Sequence, residues 1–97
     1  MTTEEVAALL DRQRDGAARL LAAISAEFGG TSTLSRRCEL AWAEAHRCAV
    51  VSVLHDDYGN AAAVLDGAVH AMGQAVEAVR RGELTQEAVA TLLGGKR

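Results

Sequence analysis

Residues 34–57 read LSRRCELAWAEAHRCAVVSVLHDD, and the spacing within them decides the fold. Leu34, Cys38, Ala41, Trp42, Ala45, Cys48, Ala49 and Ser52 fall within about 120° of arc when each residue turns by about 100°. Arg36 and Arg47 point the other way. This is a helix with one packed side. The pattern then changes. Ala49-Val50-Val51-Ser52-Val53-Leu54 carries no charge and is apolar all round. A helical stretch of that kind is expected to be covered on every side, by other helices of the chain or by a partner subunit.

The flanking segments repeat the helical period. Val6, Leu9, Leu10, Ala17, Leu20, Leu21, Ile24 and Phe28 recur at three- and four-residue steps, which predicts a helix over about 3–28. Thr2 and Glu5 have capping-box spacing, while Gln13 and Gly16 interrupt the middle as a close contact or a weak point. Gly29-Gly30-Thr31-Ser32-Thr33 is the clearest break, too short for anything but two neighbouring helices. Leu65, Ala68, Val69, Met72, Val76 and Val79 predict a third helix over about 61–81, with Gly67 and Ala71 as a small flank for a close neighbour. Thr85 caps a short fourth helix over about 85–93, which Gly94 and Gly95 end before a Lys96-Arg97 tail. The second helix is expected over about 34–57. The rival is one continuous helix from Leu34 to Arg81, interrupted nowhere by the polar stretch His55 to Asn60.

Composition agrees with this pattern. The 97 residues include 20 Ala, 11 Leu and 9 Val but no proline, and one each of Ile, Phe, Trp and Tyr. Ala and Leu favour helix, and the β-branched and aromatic mixture of strands is scarce. The expectation is a single all-α domain: an up-down bundle of three main helices and a short C-terminal one. Alanine buries little area, so a chain this small gains from sharing its core, and a homodimer is expected. Arginine supplies nine of the ten basic residues, a bias that suggests a GC-rich bacterial genome.

Several functions are disfavoured. A net charge of −3 argues against a dedicated nucleic-acid binder, and Arg36-Arg37 and Arg80-Arg81 are pairs rather than a patch. The longest charge-free run, Gly67 to Val76, is far below the ~20 apolar residues of a membrane span. The acidic start Thr2-Thr3-Glu4-Glu5 lacks a basic-then-apolar leader, so a cytoplasmic protein is expected. Cys38 and Cys48 would lie about 15 Å apart along one helix, too far for a disulfide, and read as reduced core thiols. No phosphate loop, nucleophile elbow or zinc spacing is present, and no cofactor is implied.

Two sets of residues remain as candidates. The first is the apolar face Trp42, Val50, Val51, Val53 and Leu54, which suits a non-enzymatic helical interaction or assembly module, self-pairing or docking another helical protein. The second is His55-Asp56-Asp57-Tyr58, whose imidazole and carboxylates could serve a metal, a ligand or acid–base chemistry if a dimer completed the set. Adjacent residues point in different directions, so the cluster supplies at most two ligands by itself. Its plainer reading is a polar turn. Asp66 with His70, and Glu39 with His46, share helix faces but read as solvated pairs.

Overall fold

The computed structural model describes residues 2–93. They form α1 (Thr3–Phe28), α2 (Thr33–Leu54), α3 (Tyr58–Arg80) and α4 (Gln86–Leu93), with no strand among the described residues. The expected glycine end at 94–95 and the basic tail lie outside them.

Side chains that satisfy orphan backbone groups set the helix ends. Glu5 N–H donates to Thr2 Oγ1 at 3.1 Å and Thr2 N–H donates to Glu5 Oε1 at 3.0 Å, completing the capping box of α1. The helix runs unbroken past Gln13 and Gly16. Gly29 ends it at φ +93°, a region costly for a side chain. Ser32 caps α2 by accepting from Ser35 N–H at 3.1 Å, and Ser35 Oγ returns a bond of 2.7 Å to the Gly29 carbonyl. Gln86, the first residue of α4, accepts from Leu34 N–H at 3.1 Å and so caps α2 from 52 residues away. Thr85 accepts from Ala88 N–H at 3.1 Å as the cap of α4.

The corner between α2 and α3 differs from expectation. α2 stops at Leu54, not 57, and α3 starts at Tyr58, not 61. The continuous 34–81 helix is excluded. Asp56 sits at φ +59°, which Asp tolerates because its short polar side chain bonds locally. Asp57 Oδ1 accepts from Asn60 N–H at 3.2 Å and starts α3. The polar run is therefore both a helix stop and a helix start.

All four helices contribute to one core of Ala17, Ile24, Leu34, Cys38, Met72, Val76 and Val89. A smaller core of Ala49, Ala61 and Leu65, flanked by Leu10 and Val53, lies toward the α2–α3 corner. Trp42 packs against both and joins them. Two of the three buried residues in the smaller core are alanines, which bury few methyl groups at ~0.8 kcal/mol per CH₂. At the opposite end, the Arg80 guanidinium holds the Glu27 carboxylate and ties the last turn of α3 to that of α1. Gly67 meets no neighbour, so the small flank of α3 is not a close crossing.

Candidate interaction surface

The last turns of α2 carry the largest departure from the sequence reading. Ala49 and Ser52 are buried, but Val50 is 45% exposed, Val51 50% and Leu54 76%. The stretch apolar all round is thus covered on one side only by its own chain. One turn of helix presents three neighbouring large aliphatic side chains to water, where scattered single ones are ordinary. Leu40, also on α2 and 57% exposed, lies outside the packed stripe read from the sequence. Its position eleven residues before Val51 places it on the same outer side, and that interval was the signal available.

The other two residues of the expected face serve the chain itself. Trp42 is partly buried between the two cores, with His46 tilted against it at 6.3 Å between ring centroids. Val53 packs on the Ala49–Ala61–Leu65 cluster. Cys48 corrects the expectation of two core thiols: Cys38 is buried and Cys48 exposed. Burial pushes the Cys38 thiol pKa up.

Beside the exposed turn lies a cleft of about 190 Å³ between α1 and α2. Leu10, Ala49, Val50, Val53, Leu54 and Leu65 form its apolar lining. Its polar lining is Asp11 and Arg14, paired at 3.3 Å, together with His46.

The His55–Tyr58 cluster forms the corner next to this surface. Asp57 is engaged in capping, and Tyr58 Oη donates to Asp56 Oδ1 at 3.2 Å. That bond and the Asp56 charge raise the Tyr58 pKa. The Asn60 side chain donates to Ser52 Oγ at 2.7 Å and closes the corner. Among the described residues, no three or more His, Cys, Asp or Glu side chains gather as a metal site. Of the basic pairs, Arg80 is spent on Glu27 and Glu77. No described helix is long and apolar enough to cross a membrane.

The chain matches no family model, no curated protein and no solved structure.

Proposed function

We propose that this chain is a helical interaction module, and that it acts by burying the outer side of the last two turns of α2 against another helix. The observation that carries the reading is the exposure of Val50, Val51 and Leu54 side by side on a helix whose opposite side is core. Covering apolar area yields roughly 25 cal/mol per Å², which supplies the driving force. The helix is already formed and capped, so little ordering entropy opposes docking. A four-helix scaffold with up-down neighbours would present this turn rigidly.

A photoreactive residue placed at position 51 tests the proposal in the cells that make the protein. Covalent adducts are expected at position 51 and not at Asp66, an exposed control site on α3. Equal or absent adducts at the two positions would overturn the reading.

A further inference from the structure

We propose that the cleft between α1 and α2 is a binding site for a small neutral molecule of about one ring, apolar over most of its surface and carrying a single hydroxyl. The proposal goes beyond the interaction reading and stands apart from it, because it rests on the inside of the cleft and not on the outer side of α2.

The cleft exists because the smaller core is underfilled. Close packing normally leaves a domain few voids larger than a water molecule. Here Ala49 and Ala61 supply two of the three buried side chains, and neither extends past its Cβ. Leu10 from α1, Val53 from α2 and Leu65 from α3 converge on this place without filling it. Ala49 and Leu65 are buried and form the floor, while Val50 and Leu54 are exposed and form the rim. The cleft therefore reaches from solvent to core, which a dent between surface side chains does not.

Size selects the class of ligand. A volume of about 190 Å³ lies below the roughly 300–1,000 Å³ of drug-sized sites and just above the ~150 Å³ void that holds a benzene. One ring with a small substituent fits, and a nucleotide does not.

The polar lining selects its charge. Asp11 and Arg14 pair at 3.3 Å, and both side chains stay largely exposed, so they mark the mouth. An anion that approaches Arg14 also meets Asp11, and a cation that approaches Asp11 also meets Arg14. Neither sign is favoured. His46, from α2, offers ring nitrogens that donate or accept. A hydroxyl suits this edge because it does both. An apolar pocket with a few polar groups, set between the helices of a bundle, is the usual build of a small-ligand site.

Amide-resolved NMR titration with p-cresol tests the proposal, with benzoate and benzylammonium as charged one-ring counterparts. p-Cresol should shift the amides of Leu10, Ala49, Val53 and Leu65 along saturating curves, with a dissociation constant below about 1 mM, and leave those of α4 unmoved. The two charged probes should bind at least tenfold more weakly. Val50→Phe lays a ring over the cleft from an exposed position, so the fold is kept and the dissociation constant for p-cresol should rise at least tenfold. Leu92→Phe, at an exposed position on α4, should leave it unchanged. Shifts that do not saturate, that spread evenly over the four helices, or that persist undiminished in Val50→Phe overturn the site. Tighter binding of either charged probe overturns the ligand class. Val51 is not among the lining residues, so photo-adducts at position 51 report on the interaction reading separately from this site.

Discussion

The Asn60 amide donates to the Ser52 hydroxyl at 2.7 Å, joining the last turn of α2 to the first turn of α3. Ser52 is buried, and Leu54 projects two residues further on. One hydrogen bond therefore helps hold the corner that displays the exposed turn. Asn60→Ala should destabilise the fold by about 1 kcal/mol, the usual net worth of such a bond. That corresponds to roughly 4–8 °C in Tm for a domain of this size. Ser52→Ala should cost a similar amount, and the double variant little more than either single one, because the two remove the same contact. Urea midpoints of the four proteins would check this.

Glycines inside α1 and α3 leave stability unrealised. A Cβ built on Gly16 or Gly67 meets nothing within 4 Å, and neither residue has a positive φ. Glycine within a helix costs up to about 1 kcal/mol relative to alanine. Gly16→Ala and Gly67→Ala should each stabilise by about 0.5–1 kcal/mol, and together nearly additively, since they lie on different helices. Gly29→Ala should do the opposite, because φ there is +93°. Thermal melts of the three variants would separate these signs.

Acid should weaken the link between α1 and α3. Hydrogen bonds from Arg80 hold the Glu27 carboxyl below the usual carboxylate range. The folded state therefore keeps Glu27 ionised where the unfolded chain takes up a proton. The stabilisation is complete above the unfolded value, about 4.3, and is lost as pH falls through the lower folded value. Glu5 acts in the same direction through its bonds with Thr2. Both groups are exposed, so the effects are small and screened by salt. Glu27→Gln should lower stability at neutral pH and flatten the acid limb of the stability curve. Denaturant midpoints measured between about pH 3 and 7 would show whether the curves converge in acid.

The all-helical fold was legible because alanine, leucine and glycine placement is a local property. The Thr2–Glu5 box, the Gly29 stop and the Thr85 cap act within a few residues of themselves. The 55–57 corner was less legible. Asp57 could equally be a residue inside a helix, and only the bond it accepts from Asn60 N–H shows it capping a new one. The cap that Gln86 supplies to Leu34 spans 52 residues and has no local signature. The candidate surface was half legible. Uninterrupted apolarity from Ala49 to Leu54 marked the segment, but only packing shows that Ala49, Ser52 and Val53 face the core while Val50, Val51 and Leu54 do not. Cys48 fell on the buried arc of a helical wheel because it lies near the edge of that arc, where a small rotation changes which side it faces.

The two thiols report on the fold. A pulse of alkylating agent at mildly alkaline pH should modify Cys48 in the native protein and leave Cys38 untouched. Cys48 is exposed, whereas Cys38 is fully buried in the main core with its pKa raised by that burial. The thiolate is the reactive form, so burial protects Cys38 twice, by access and by ionisation. Its modification should become detectable only in denaturant, tracking the unfolded population. Mass spectrometry of each cysteine peptide reads both rates from one sample, and equal native rates at the two thiols would contradict the burial of Cys38.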